Sequence, residues 1–521
     1  MLKVINFPGV VYLHSFILIT NFKMVVTIAL SLFIVIFLLA RCQIKRGRRE
    51  KLCRPPGPRG LPIIENMLQY DSSNVHICLS KLSKKYGPIM YMKLASAPMI
   101  VISSASLAKE ALKDNDLAFS SRPYTSGLSK ISYNNLDIIF SPYNDYWRDM
   151  RKMIVRRLFT KEQVNTFRHA REDEVSHMIK DISQQAKSNQ VVNISKVAMS
   201  FASNITSRVT LGKRFDETGF RKTRFEKLLN EIQAIKNVAF IGDYYPLLGW
   251  IDRLSGKTSR LEKVFKDMDI LFQQFIDEHL SPNRPHYMDG DFLDILFQLR
   301  EEPSSSVHID WDNIKALLMN IFLAATDPTA SIIVWAMTAL VKKPSAFKKA
   351  HEEIRGLVGK KDRVDGDDID KLPYLKAVVK ETLRFYPPAP ILPRATTKRC
   401  IIDGYEIEPK TIVMVNLWDI GRDPEYWDNP NEFLPERFLN STIDFKGHDY
   451  GLIPFGTGRR RCPGYSLGVA QVELALANLL YSFDWKLPRG IREEDIDIEA
   501  EPGAVVHKKN ALCLMAKCYI E

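Results

Sequence analysis

The 521-residue sequence is poor in cysteine and has no pair of cysteines at metal-site spacing. Its seven cysteines, Cys42, Cys53, Cys78, Cys400, Cys462, Cys513 and Cys518, are odd in number and irregularly placed, with no Cys-x-x-Cys. This excludes a zinc ribbon and a disulfide-stapled secreted fold, and it points to a reducing compartment for the folded part. No internal repeat is present, so solenoids and propellers are excluded. Acidic residues are almost missing from residues 41–60, where Glu50 stands alone against eight lysines and arginines. That segment holds +7 of the net charge of +12, residues 1–40 hold +2, and the remaining 461 residues carry only +3. A nucleic-acid binder spreads its basic residues over a folded face, so no nucleic-acid partner is expected.

What is present begins with an apolar run. Val25–Ala40 reads VVTIALSLFIVIFLLA, sixteen residues without charge. As a helix it spans about 24 Å at ~1.5 Å per residue, enough for a thin bilayer. The basic cluster follows at once, where a cleavable signal would carry small residues. An uncleaved anchor over 24–40 is therefore expected, and the positive-inside rule places the rest of the chain in the cytoplasm. Residues 1–23 read as a possible N-terminal extension. Residues 41–62 form a basic, Pro-rich linker ending in RPPGPRGLP, whose four prolines disfavour helix and make a semi-rigid spacer. Hydrophobic residues make up 45% and charged residues 26%, an ordinary globular composition, so residues 63–521 are expected to form one large folded domain.

Periodicity predicts strands at 89–94 and 98–103 and then mainly helix to about 300, with loops near 114–142, 211–221, 241–256 and 281–291. Long helices are predicted over 309–341, 344–358 and 373–386, short strands over 391–415, an irregular stretch over 424–461, and a helix over 464–482. The fold class is thus mainly α with small β-sheets (α+β).

The densest motif is FGTGRRRCPG, residues 455–464. Gly456, Gly458 and Gly464 permit positive φ and close backbone approach. Pro463 suits a first helical turn, which would put Cys462 at a helix N-terminus whose N–H groups favour a thiolate. Arg460 is placed to reach a carboxylate of a bound cofactor. Phe455, Gly458, Arg460, Cys462 and Gly464 meet the pattern Phe-x-x-Gly-x-Arg-x-Cys-x-Gly, and here the sequence resembles the cytochrome P450 superfamily. The resemblance runs over about residues 54–521. With the anchor and the Pro-rich hinge, it is similar to the plant A-type microsomal members.

The resemblance implies a P450 fold and a haem b (iron protoporphyrin IX) whose iron is the metal held by Cys462. It also implies that Arg460, Trp147 and Arg151 of WRDMR, and Arg394 of ILPRAT, bind the haem propionates. Glu381 and Arg384 of KETLR, three apart on one helix face, would join Arg437 of FLPERF in a buried structural cluster. The oxygen side departs from the family. Against its pattern Ala/Gly-Gly-x-Asp/Glu-Thr-Thr/Ser stand Ala324, Ala325, Thr326, Asp327, Pro328 and Thr329, so the usual Gly is Ala325 and the proton-delivering threonine is Pro328. A helical proline costs ~3 kcal/mol and leaves the Ala324 carbonyl without its N–H, which predicts a kink and room for a water. Asp327, that water, and Thr326 or Thr329 are expected to replace the missing hydroxyl.

The implied activity is an NADPH-dependent monooxygenase of the endoplasmic reticulum membrane. Electrons would come from NADPH-cytochrome P450 reductase, and one atom of O2 would enter a small hydrophobic substrate. Residues 120–140, 389–393 and 502–506 would wall its pocket. Phenylpropanoid, isoflavonoid, terpenoid and aldoxime substrates all fit. Pro328 keeps two other readings open: a haem-thiolate isomerase or dehydratase that needs no O2, and a poorly coupled or non-catalytic haem protein.

Overall fold

A computed structural model describes residues 31–33, 53–214, 220–236, 238–284, 290–302, 307–501 and 503–519. The extension over 1–23 lies outside these residues. So do most of the anchor and the first part of the linker.

The centre of the fold is a helix hydrophobic on nearly every side. Trp311–Lys342 (called α7) is 32 residues long and starts in a capping box, with the Asp310 carboxylate accepting from Asn313 N–H and the Asn313 side chain accepting from Asp310 N–H. Its length and hydropathy would suit a membrane span, but 72% of its most apolar stretch is buried inside the protein, so it is the core helix. The helices placed around it are, in chain order, α1 (Val75–Tyr86), α2 (Asp145–Leu158), α3 (Arg168–Lys187), α4 (Ile194–Leu211), α5 (Phe220–Lys236), α6 (Lys257–His279), α8 (Pro344–Val358), α9 (Pro373–Phe385) and α10 (Tyr465–Ser482). Helix α7 packs most extensively on α4, then on α10 and α9.

Three small sheets sit at the edge. Strands β1 (Ile89–Leu94) and β2 (Ala97–Ile102) form a hairpin, β2 pairs in parallel with β7 (Ile412–Asn416), and β7 pairs antiparallel with β4 (Ile391–Ala395). Strands β3 (Val191–Asn193), β9 (Cys513–Cys518) and β8 (Phe483–Lys486) form a second sheet, and β5 (Cys400–Ile402) with β6 (Tyr405–Ile407) a third. The mainly helical α+β class is therefore as expected. The loops expected near 114–142 and 241–256 hold short helices at Ser126–Ile131, Ile241–Tyr244 and Trp250–Leu254. These are too short to show a period. The first is set by its cap, where Thr125 Oγ1 accepts from Leu128 N–H at 3.2 Å.

Candidate active site

The loop carrying Cys462 is shaped by two left-handed glycines, Gly456 (φ 67°) and Gly458 (φ 66°). A Cβ on Gly458 would lie 2.5 Å from Asp116 Oδ1 and 3.0 Å from the Leu112 carbonyl, so only glycine fits there. The turn closes with Cys462 N–H donating to the Phe455 carbonyl at 2.8 Å. Two expectations are corrected. Helix α10 begins at Tyr465 with Gly464 as its cap, so Pro463 precedes the helix instead of opening it. Gly464 has φ −89°, and its place reflects packing against Phe159.

Cys462 is half-buried as a residue, with protein packed around its thiol. Burial pushes the Cys462 thiol up, while a Gly464 N–H bond and the charges of Arg151 and Arg461 pull it down by less. The helix terminus alone thus does not make a thiolate, because α10 starts too late. Coordination to a metal cation deprotonates such a thiol outright.

Beside this loop lies a cluster of arginines with too few acids. Arg460 stacks over the Trp147 ring at 3.6 Å and donates to the carbonyls of Ser120 and Ser141, each at 2.7 Å. Arg151 donates to the Arg461 carbonyl, and Arg394 to its neighbour Pro393 at 3.1 Å. Arg394 Nη2 and Arg460 Nη1 are buried with no hydrogen-bond partner among the described residues. Burial and mutual repulsion hold Arg394 well below the usual arginine range and Arg460 at about 8. Unpaired buried charge costs several kcal/mol per ion, so this geometry calls for an anionic group with at least two acceptors. The residues present fit a haem: a half-buried cysteine for the iron and free guanidinium N–H groups for its two carboxylates. Trp147 differs from expectation. Its only N–H donates to the Ile138 carbonyl at 2.9 Å, so it supports Arg460 as a stacking surface and has no donor left for a propionate.

Arg122 was not legible in the sequence. It joins the cluster from the 120–140 segment, donating to the carbonyls of Ile139 (2.9 Å) and Pro393, with burial lowering it to about 10. Asp137 was also missed. It is fully buried and accepts from the backbone N–H groups of Ile139, Phe140 and Ser141 and from Asn320 Nδ2 of α7, and burial pushes its carboxyl up. This network ties the segment to α7. Within the sequence, an acid inside the apolar run LDIIF is its only signal.

Glu381 and Arg384 pair at 2.7 Å with both side chains fully buried, and Arg437 Nε reaches Glu381 at 3.1 Å. Arg384 also donates to the carbonyls of Gly421, Pro430 and Glu432, so one ion pair fixes the irregular stretch against α9.

Helix α7 runs unbroken through Pro328. The helical assignment continues through the proline, and packing on several sides supports it there. Ala324 is exposed and has lost the N–H that position 328 would supply. Thr329 Oγ1 donates to the Ala325 carbonyl at 2.9 Å. Thr326 is corrected as a relay candidate: two residues from Ala324 it lies on the opposite helix face, buried, with its hydroxyl 3.3 Å from Thr206 of α4. Asp327 accepts from Gln233 of α5. By helical spacing Asp327 and Pro328 lie on the side of Ala324, while Thr329, three residues from Thr326 and buried like it, lies with Thr326 on the other side.

Two of the expected substrate walls touch directly, Arg122 donating to the Pro393 carbonyl, and the backbone beside them is joined where Ser121 and Ala395 exchange bonds of 3.2 and 2.9 Å. Val506 N–H donates to the Pro388 carbonyl at 2.8 Å, and the Val506 carbonyl accepts from Ser331 (2.6 Å) and Trp335 (3.0 Å) of α7.

The chain is similar to known proteins along most of its length. The chain is 48% identical over 478 residues to 6,7,8-trihydroxycoumarin synthase of Pastinaca sativa, covering 90% of this chain and 94% of that one. It is 46% identical over 484 residues to 5-OH-xanthotoxin synthase of Ammi majus, covering 91% and 95%. A zebra fish cytochrome P450 solved with abiraterone superposes with a TM-score of 0.70 at 22% identity, over 85% of this chain and 99% of that one, a likeness of fold. The family model described as Cytochrome P450 matches residues 55–515, and the chain belongs to that family.

Proposed function

We propose that Cys462 holds the haem iron of this cytochrome P450 monooxygenase and that its substrate is a planar aromatic plant metabolite of the coumarin or furanocoumarin kind. The observation that carries the haem assignment is the pair of unpartnered buried guanidinium atoms on Arg394 and Arg460 beside a half-buried Cys462. The names of two relatives, which make a trihydroxycoumarin and a hydroxylated xanthotoxin, support the substrate class and narrow the phenylpropanoid-type expectation.

When bound, the haem supplies dioxygen activation, with electrons from NADPH through a P450 reductase. The chain's own residues do the rest. Arg394, Arg460 and Arg151, with Arg122 behind them, neutralise the propionates and set the plane of the ring. Asp327 serves as proton carrier, and a water held at the Ala324 carbonyl completes the path that a threonine at 328 would have made. The Gln233 amide keeps the Asp327 carboxylate in place.

The chain is held at the endoplasmic reticulum membrane by 24–40 with its catalytic body in the cytoplasm. Support comes from an exposed apolar patch on that body: Leu247 (91% exposed), Leu254 (78%) and Trp250 (56%). It is linked to the linker end by Tyr245 Oη donating to the Ile63 carbonyl at 2.9 Å.

The test is a reduced carbon monoxide difference spectrum, then turnover of xanthotoxin and a dihydroxycoumarin with NADPH and reductase. A thiolate-type band with NADPH-dependent hydroxylation is expected. Conversion of a peroxide without NADPH, or turnover only of terpenes or aldoximes, would overturn the reading.

A further inference from the structure

A cavity of about 930 Å³ lies away from the cysteine loop and the arginine cluster, between α1, the end of α9 and the segment 498–509. Its size is in the usual range for small-molecule sites, about 300–1,000 Å³. We propose that this cavity is a second binding site, for a planar aromatic compound bearing an acidic hydroxyl.

The walls favour flat rings. Trp335 and Tyr386 stack with centroids 4.4 Å apart at 10°, and Arg422 lies 3.2 Å over the Trp418 ring and 4.3 Å over Phe385, all of them lining the cavity. Aromatic and guanidinium planes offer stacking surface to a flat ligand at low entropic cost.

The polar groups favour an acidic hydroxyl. The Tyr386 hydroxyl and the His76 ring line the cavity and have no hydrogen-bond partner among the described residues. Burial and Arg422 lower His76 to about 4, so it is a neutral acceptor at physiological pH. The lining has three cations, Lys81, Arg422 and Lys509, against two acids, Asp71 and Glu499. Lys509 and Glu499 pair at 2.7 Å, which leaves Lys81 and Arg422 against Asp71 in the lining, with Asp419 behind Arg422. A hydroxyl that donates to the His76 ring suits this lining.

The cavity backs onto the expected substrate pocket. Val506 lines it, and the same residue is stapled to Pro388 and to Ser331 and Trp335 of α7. The ligand class rests on the coumarin reading above, whereas the existence of the site does not.

The test uses the full-length holoprotein and 7-hydroxycoumarin, measured by equilibrium dialysis with the haem pocket closed by clotrimazole. One mole of azole-resistant binding per mole of protein is expected. Ala500→Trp, which puts an indole into the cavity, and Tyr386→Phe, which removes only the hydroxyl, should each weaken it at least about fivefold, a ~1 kcal/mol change. The carbon monoxide band verifies that both variants fold. Absence of azole-resistant binding, or azole-resistant binding untouched by both variants, overturns the proposal. Azole-resistant binding without coumarin turnover sinks the substrate reading and leaves this site standing. Turnover without azole-resistant binding does the reverse.

Discussion

The two faces of the active-site cleft are built differently. The cysteine face is one contiguous loop, 455–464, with Gly456 and Gly458 at positive φ and a Cys462 N–H to Phe455 carbonyl bond closing the turn. The α7 face is assembled from residues far apart in sequence: Asp327 meets Gln233, Thr326 meets Thr206, and Asn320 meets Asp137. A contiguous loop carries its geometry in backbone angles and tolerates no change at Cys462 or Gly458. An assembled face draws each group from a different segment, and in the function proposed above Asp327 and a bound water stand in for the threonine usual at 328.

Breaking the cysteine face should give the largest effect. Cys462→Ala is expected to lose the thiolate-type carbon monoxide band and all monooxygenase turnover while keeping its helical circular dichroism. A retained band would end the ligand assignment. Next, Glu381→Gln removes one member of a fully buried ion cluster and should cost about 3–5 kcal/mol, read as a large fall in thermal midpoint and in haem content. Stability equal to wild type would mean that the cluster is not the brace its burial indicates.

On the α7 face, Asp327→Asn should slow product formation by on the order of 10²-fold, with peroxide released instead, since a positioned proton carrier is worth about that much. Pro328→Thr should change product per NADPH little. A large coupling gain would show that the native relay is impaired and would erase the contrast between the faces.

The smallest effect lies outside the cleft. Burial raises the Glu473 carboxyl from 4.5 to about 7. The folded state therefore holds a proton that the unfolded chain releases, and stability falls as pH rises from about 4.5 to about 7. Glu473→Gln should match wild type at pH 4 and melt about 2 °C higher at pH 8. Equal midpoints at both values would show that the group is not perturbed.

Much of this was legible because it is local. Glu381 and Arg384 lie three apart on a helix, which places them on one face before any fold is known. Helix α8 has the expected bounds, 344–358, because its apolar spacing and its first-turn Pro344 are both in the chain. The placement of Thr326 and Thr329 away from Ala324 follows from the same helical geometry. Arg122 and Asp137 were not legible. Their meaning comes from the carbonyls of Ile139 and Pro393 and from Asn320, which only folding brings near. Trp147, a propionate ligand by resemblance alone, has its indole N–H turned to Ile138 by the fold.

By itself, the sequence determined what depends on near neighbours along the chain: the left-handed turns before Cys462, the helix faces, and a core helix too apolar to sit at the surface. Tertiary structure alone decided which donors remain free. Whether Arg394 and Arg460 keep an unpaired N–H depends on counting every acceptor around them in space, and most of those acceptors come from distant segments. Burial then makes the deficit matter, because an unpaired buried charge is costly and so marks where a charged cofactor belongs.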